Sequence, residues 1–132
     1  MFETDSQQPF IPRTRVKICG LTRPQDAILA ANLGADAIGL VKNEKSPRVV
    51  SVTQAQEIIQ QLPAFITVVG LFVDAAPSLV HSILAQVPLD MLQFHGEESP
   101  DYCIRFGKPY IKALRMRPGI DVQTFAQRYQ EA

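Results

Sequence analysis

The sequence predicts an α/β fold built around a parallel β-sheet, and three observations lead to that prediction. Short apolar runs rich in β-branched residues recur about five times along the chain. Each run is followed by a stretch whose apolar residues have helical spacing. Successive runs lie roughly 20 to 30 residues apart, which is the spacing of βα units with right-handed crossovers. The pattern leaves open whether the sheet is doubly wound or belongs to a barrel.

The apolar runs define the predicted strands. Residues 37–41 and 65–73 are continuously apolar, as expected of strands that are covered on both faces. In the first strand Lys17 and Cys19 are two residues apart, so we expect them to share one face. Lys112, on the fifth strand, could face the interior of the fold, and we assign it no role. The predicted strands are 15–18, 37–41, 65–73, 89–94 and 110–114.

Prolines and glycines mark the ends of the predicted helices. Pro24, Pro77 and Pro100 suit the first position of a helix, where the missing N–H has no intrahelical partner to lose. Gly34 is placed to end the first helix in a left-handed conformation, and Pro63 stops the second. The predicted helices cover 24–33, a segment from a cap at Ser51 or Thr53 to about 62, a segment that begins at 77, 100–106 and 122–129.

The composition is that of an ordinary globular domain and excludes several classes of function. Of 132 residues, 46% are hydrophobic and 20% are charged, and the zero net charge offers no attraction to nucleic acid or to an anionic membrane. No apolar run approaches the ~18 residues of a membrane-spanning helix. Cys19 and Cys103 do not suggest a disulfide framework, and His81 and His95 are too far apart to suggest a metal site.

The amino-terminal stretch differs from the rest of the chain. Residues 1–14 are polar, contain two prolines and show no clear periodicity, so we predict a flexible arm followed by a domain over 15–132. The arm lacks the apolar segment of a secretion signal, and a cytoplasmic location is therefore the default expectation.

Four short stretches carry the residues that could do chemistry. One is Lys17-Ile18-Cys19-Gly20-Leu21-Thr22, which places a thiol at the carboxyl end of a strand, where parallel α/β folds usually have their active sites. The others are residues 34–41, Lys45-Ser46-Pro47-Arg48 and Gln93-Phe94-His95-Gly96. In this order and at this spacing, from about Arg15 to about Arg115, they closely resemble phosphoribosylanthranilate isomerase of tryptophan biosynthesis.

The resemblance implies a (βα)8 TIM barrel, of which this chain supplies about five units and is therefore incomplete. The family performs the Amadori rearrangement of N-(5-phosphoribosyl)anthranilate to 1-(2-carboxyphenylamino)-1-deoxyribulose 5-phosphate, without a cofactor, and no metal is expected. This chemistry needs a general acid that opens the sugar ring and a general base that removes a proton from the adjacent carbon. The implied partner is a small phosphosugar anthranilate substrate, with no nucleic acid and no membrane.

The resemblance also implies roles for four residues. Cys19 matches the cysteine that serves as general base, a task for which a thiol must ionise near neutral pH. Arg48 matches the arginine that binds the anthranilate carboxylate, which a guanidinium holds through two parallel hydrogen bonds. Gln93 and His95 match a Gln-x-His-Gly motif, and strand alternation points both inward, where His95 would position the substrate.

Parts of the family pattern are missing or altered. Lys42-Asn43 stand where the family commonly has an aromatic pair, suited to packing beside the substrate ring. The resemblance places the general acid, an aspartate, at the end of a sixth strand and the phosphate-binding loops after the seventh and eighth. These parts are not found before Ala132, so we expect the chain alone to have little or no activity. Open strand edges lead us to expect self-association or pairing with a missing carboxyl-terminal part.

Two other interpretations remain open. The first is a non-catalytic α/β binding or scaffold module with a decayed site. Lys42-Asn43 favour it, and the joint presence of Cys19, Arg48 and His95 opposes it. The second is a flavodoxin-like open sheet that binds a phosphate ligand. It is opposed because Cys-Gly-Leu-Thr, and not a glycine-rich phosphate loop, follows the first strand.

Overall fold

Five parallel β-strands form one sheet in the computed structural model, which describes residues 12–132. The strands are β1 (Lys17–Cys19), β2 (Ala37–Val41), β3 (Thr67–Phe72), β4 (Met91–Phe94) and β5 (Tyr110–Lys112). They lie side by side in sequence order. A flavodoxin-like or doubly wound sheet reverses its order at a switch point, whereas successive barrel strands do not. The order therefore agrees with the predicted (βα) repeat of an incomplete barrel.

A helix follows each strand, as the apolar spacing predicts. The helices are α1 (Pro24–Asn32), α2 (Val52–Gln60), α3 (Pro77–Gln86), α4 (Pro100–Ile104) and α5 (Val122–Arg128). Of the two predicted caps for α2, Ser51 is the one present, because its side chain accepts a hydrogen bond from the Gln54 N–H and the Gln54 side chain accepts one from the Ser51 N–H. Since all crossovers have the same hand, the helices lie on one face of the sheet, and no helix of residues 12–132 covers the other face, the inner face.

The hydrophobic core lies between the sheet and these helices. Ile38, Leu40, Phe72, Leu92 and Phe94 are fully buried and point to the helix-covered face. The register places Phe72 beside Phe94, and their rings lie 6.5 Å apart between centroids. Alternation in the same strands directs the intervening residues to the inner face. The core therefore fixes which side chains can reach the interior of a barrel.

The strand boundaries differ from the predicted ones in four of the five strands. β3 begins at Thr67 rather than at 65, because Phe65 has φ of 68° and cannot continue an extended strand. β1 covers Lys17–Cys19 rather than 15–18, β4 begins at Met91 rather than at 89, and β5 ends at Lys112 rather than at 114. The predicted flexible arm over 1–14 falls mostly outside the described residues, although Arg13 contacts Asp36 through both terminal guanidinium nitrogens.

Apolar side chains are exposed at the β1 end of the sheet. Val16, Ile18, Leu29 and Leu33 are between 40% and 79% exposed and line a shallow groove along β1 and α1. Such a contiguous apolar patch is typical of a surface that another segment or molecule covers. Separately, none of the helices within residues 12–132 has the length and apolarity needed to cross a membrane.

Candidate active site

The carboxyl ends of the five strands meet at one edge of the sheet. Cys19 ends β1, and its register partners across the sheet are Gly39, Val69 and Met91. Gln93 follows Met91 by two residues and therefore lies on the same face as Cys19. That face is the inner one, because the buried core residues occupy the alternate positions. Cys19 and Gln93 therefore point to the same side of the sheet.

Arg48 approaches Cys19 from the loop that follows β2. Its Nη1 atom lies 3.4 Å from the Cys19 carbonyl oxygen, and its backbone N–H donates to Ser46 Oγ at 3.1 Å. The guanidinium is exposed and forms no ion pair within residues 12–132. It therefore remains able to receive a carboxylate, and the residue whose carbonyl it contacts carries the thiol.

Gln93 and His95 form a second pair at the end of β4. The Gln93 side-chain nitrogen lies 3.4 Å from His95 Nδ1, within reach of a hydrogen bond if that ring nitrogen accepts. The His95 backbone N–H donates to the Phe72 carbonyl at 3.0 Å, which extends the β3–β4 ladder by one residue. The imidazole is therefore held at the strand end by both its backbone and its neighbour.

The two pairs lie at the same edge but do not touch. β1 and β4 are separated by three strand spacings of about 4.8 Å each, and sheet curvature shortens that distance across the mouth. A ligand of elongated shape, with an acidic group near Arg48, could therefore contact both pairs at once. The arrangement offers a thiol, a carboxylate-binding cation and an imidazole around one opening.

A buried ionic cluster behind this edge was not predicted. Glu98 is 5% exposed, and its carboxylate accepts from the Asp74 and Gly96 N–H groups, each at 2.8 Å. Lys112 Nζ lies 3.3 Å from the same carboxylate and also donates to the Gly96 carbonyl. The cluster joins the loops after β3, β4 and β5. It was missed because adjacent acidic residues in a loop usually face solvent.

Lys112 is oriented differently from the sequence expectation. It pairs in register with Phe94 and so points to the helix-covered face, not to the inner face. Its ammonium group lies 5.6 Å from the centroid of the Tyr129 ring, and the side chain is only 2% exposed. The expectation that Lys112 faces the interior is therefore wrong. Its alternation follows Tyr110, which is buried in the core.

The same loops show where backbone geometry is restricted. Asp74 has φ of 47°, and its carboxylate accepts from the Glu97 N–H at 2.8 Å. A Cβ at Gly96 would lie 2.5 Å from that carboxylate, so only glycine fits. Asp74 thus fixes the neighbouring loop through its side-chain oxygen, as aspartate residues in turns commonly do.

The Lys42 side chain turns toward the loop that follows β2. Its ammonium group donates to the Val50 carbonyl, and burial lowers the pKa of Lys42. The aliphatic chain therefore lies along its own loop. In the part of the chain that is described, no three His, Cys, Asp or Glu side chains gather closely enough to hold a metal ion.

Comparison with known proteins places this geometry in a family. A family model described as N-(5'phosphoribosyl)anthranilate (PRA) isomerase matches residues 16–132. A relative from Nitrosococcus oceani, named N-(5'-phosphoribosyl)anthranilate isomerase, is 58% identical over 91% of this chain and 58% of its own length. A relative of the same name from Alcanivorax borkumensis is 53% identical over 89% of this chain and 54% of its own length. The chain therefore spans little more than half the length of these relatives.

Solved structures with a similar fold belong to the same family as the sequence relatives. The crystal structure of phosphoribosyl anthranilate isomerase from Thermotoga maritima has a TM-score of 0.74 at 38% identity, covering 77% of this chain and 51% of that one. A phosphoribosyl anthranilate isomerase in complex with reduced 1-(o-carboxyphenylamino)-1-deoxyribulose 5-phosphate has a TM-score of 0.81 at 36% identity, covering 87% and 60%.

Proposed function

We propose a role in tryptophan biosynthesis for this chain, which belongs to the N-(5'-phosphoribosyl)anthranilate isomerase family: it carries one half of the isomerase active site. The proposed reaction is the Amadori rearrangement of N-(5-phosphoribosyl)anthranilate to 1-(2-carboxyphenylamino)-1-deoxyribulose 5-phosphate. The observation that carries the proposal is the approach of Arg48 Nη1 to within 3.4 Å of the Cys19 carbonyl, at the carboxyl edge of the sheet. That contact brings an acid-binding group to the residue that carries the thiol, at the usual place for chemistry in parallel folds.

Each side chain has a defined part in the proposed mechanism. The Cys19 thiolate takes the proton from the sugar carbon next to the one that bears the anthranilate nitrogen. Arg48 binds the anthranilate carboxylate and so sets the distance between that carbon and the thiolate. His95, supported by Gln93, contacts the substrate on the opposite side of the mouth. The general acid and the phosphate-binding groups come from outside the five described βα units.

We also propose that the 132-residue polypeptide has little isomerase activity by itself. Loss of one proton-transfer group typically lowers a rate by about 10²–10⁴. Loss of the phosphate-binding loops removes the binding energy that positions the substrate. A carboxyl-terminal part would supply both, and the greater length of the relatives supports this proposal.

The exposed apolar surface on β1 and α1 supports a second part of the proposal. Ile18 and Leu29 are 40% and 57% exposed, and the edges of β1 and β5 lack a neighbouring strand within residues 12–132. A carboxyl-terminal barrel segment would cover this surface and pair with both edges. Self-association of two copies is the competing arrangement, and light scattering of the 132-residue polypeptide with and without that segment distinguishes them. A cytoplasmic location, as for a biosynthetic enzyme, is part of the same proposal and is checked by cell fractionation.

The decisive experiment adds the region by which the relatives are longer than this chain. The chain is joined to, or mixed with, the part of the Nitrosococcus oceani relative that follows the matched region, and turnover of phosphoribosylanthranilate is followed by the change in anthranilate fluorescence. We expect turnover by the completed protein and a fall of about 10²–10⁴ in kcat for Cys19→Ala. Arg48→Gln should raise KM, because the carboxylate contact forms in the bound substrate.

Matched variants separate catalysis from folding. Cys103→Ala removes the other thiol, which is fully buried in the core, and should leave kcat within a factor of about three once stability is accounted for. A completed, folded protein that shows no turnover contradicts the proposal. If such a protein still binds a substrate analogue, the non-catalytic binding module becomes the better interpretation.

A further inference from the structure

A glycine of β2 lies directly opposite the thiol of β1. The register pairs Cys19 with Gly39. A Cβ added to Gly39 would lie 2.7 Å from Cys19 Sγ and 3.2 Å from Cys19 Cα and Cβ. A carbon and a sulfur cannot approach so closely, so the sulfur occupies space that exists only because residue 39 has no side chain. We call this space the Gly39 gap.

The Gly39 carbonyl also holds the turn that follows β1. It accepts the Gly20 N–H at 2.9 Å and the Leu21 N–H at 3.3 Å. Gly20 has φ of +81°, and a Cβ there would lie 2.4 Å from Arg48 Nη1. The turn therefore passes directly beneath the guanidinium. Gly39 thus contributes in two ways. Its missing side chain leaves room for the thiol, and its carbonyl holds the turn that lies against Arg48.

Gly70 provides an informative contrast. Gly70 lies on β3 and pairs in register with Leu40 of β2, and a Cβ added to Gly70 would lie 2.5 Å from the Leu89 side chain. Gly70 belongs to the helix-covered face, so its missing side chain makes room for the hydrophobic core. Gly39 is on the opposite face, where its neighbour is the thiol. Packing of the core therefore explains Gly70 but does not explain Gly39.

We propose that Gly39 is a positioning residue for Cys19: the gap fixes the direction of the thiol along the mouth of the sheet. A sulfur held in close contact on one side has fewer available rotamers, and a reacting group loses rate when it moves by about 1 Å. The catalytic meaning of this role rests on the proposed isomerase function. The geometric role of Gly39 does not, and it can be tested without any substrate.

The first test measures thiol chemistry in the folded 132-residue chain. Iodoacetamide alkylation of Cys19 and Cys103 is followed by peptide mass spectrometry in the parent, Gly39→Ala and Gly70→Ala. A methyl group at 39 displaces the sulfur toward the open inner face, so we expect Cys19 to react about threefold faster or more. In Gly70→Ala the Cys19 rate should stay unchanged. Cys103 is fully buried, and its rate reports any general opening of the fold.

The second test is a rescue. Gly39→Ala should lower the urea midpoint much less when Cys19 is also changed to Ala, because the closest clash is with the sulfur; we expect about half the shift or less. Gly70→Ala should lower the midpoint equally in both backgrounds. If Gly39→Ala does not fold, the same prediction becomes recovery of folding by Cys19→Ala.

The outcomes are distinct. The inference is overturned if the alkylation rate of Cys19 is unchanged in folded Gly39→Ala. It is also overturned if that rate rises equally in Gly39→Ala and Gly70→Ala and the alkylation rate of Cys103 rises with it. The inference also fails if adding Cys19→Ala to Gly39→Ala neither reduces the shift in urea midpoint nor restores folding. If the thiol tests succeed while the completed protein shows no isomerase turnover, the positioning role stands and the proposed function fails.

Discussion

Removing the ammonium group of Lys112 should destabilise the protein far more than removal of a surface charge. The side chains of Lys112 and Glu98 are 2% and 1% exposed, with Nζ 3.3 Å from Oε1. Lys112→Met keeps most of the apolar stem but leaves the Glu98 carboxylate buried without a counter-charge. Breaking one side of a buried ion pair typically costs about 3–5 kcal/mol. Domains of ordinary stability have about 5–15 kcal/mol in total.

The remaining partners of Glu98 decide where in that range the loss falls. The Asp74 and Gly96 N–H groups still donate to the carboxylate in Lys112→Met, so we expect about 3 kcal/mol. Changing both residues, as Glu98→Leu with Lys112→Met, removes the unpaired charge. The two N–H groups then lack an acceptor, at a cost of about 1–3 kcal/mol each. The double variant should therefore not return to the parent stability.

Urea unfolding followed by far-ultraviolet circular dichroism measures these differences. Glu97→Gln is the matched control, because Glu97 is the adjacent acid and its exposed side chain makes no hydrogen bond or ion pair within the described residues. That control should change stability by less than about 0.5 kcal/mol. A loss below about 1 kcal/mol in Lys112→Met would refute the reasoning, since such a value is typical of an exposed pair. Full recovery in the double variant would refute the role given to the two N–H groups.

Three further predictions concern acid stability, backbone strain and a helix cap. Hydrogen bonds from Arg13 and from the Val16 N–H lower the pKa of Asp36 to about 2 from its ordinary 3.8. The contribution of the Asp36 carboxylate to stability is therefore present above pH 3.8 and is lost as the pH falls toward 2. Asp36→Asn should flatten the measured dependence of the unfolding free energy on pH in that window. Phe65 is fully exposed with φ of 68°, and Phe65→Asn should raise stability by roughly 0.5–1 kcal/mol in thermal unfolding. Ser51→Ala removes the α2 cap and should lower it by about 1 kcal/mol in the same assay.

The order of strands and helices was predictable because each apolar run and each punctuating proline acts locally. Pro24, Pro77 and Pro100 all stand at the first position of a helix, as expected. The orientation of Gln93, opposite to that of the buried Leu92 and Phe94, also followed from alternation within its own strand. Both depend on the sequence within a few residues, where periodicity is informative.

Lys112 could not be placed in the same way. Tyr110 and Ile111 are both apolar, so alternation in β5 does not reveal which of them faces the core; the structure buries Tyr110 and exposes Ile111. The partner of Lys112, Glu98, lies on another loop and is itself an atypical buried acid. The Gly39 gap was missed for a related reason. It depends on the register between β1 and β2, which the composition of either strand does not specify.

The two halves of the candidate site are supported to different degrees by this chain. Gln93 lies on β4 between two paired strands, beside a fully buried core and ahead of the Glu98–Lys112 pair. Cys19 ends a three-residue strand that pairs only with β2 among the described residues, and Ile18 beside it is 40% exposed. The Gly39 gap is therefore a principal constraint that this chain places on the thiol. A segment that pairs with the edge of β1 would add to that constraint, and the same segment would lie next to the apolar groove along β1 and α1.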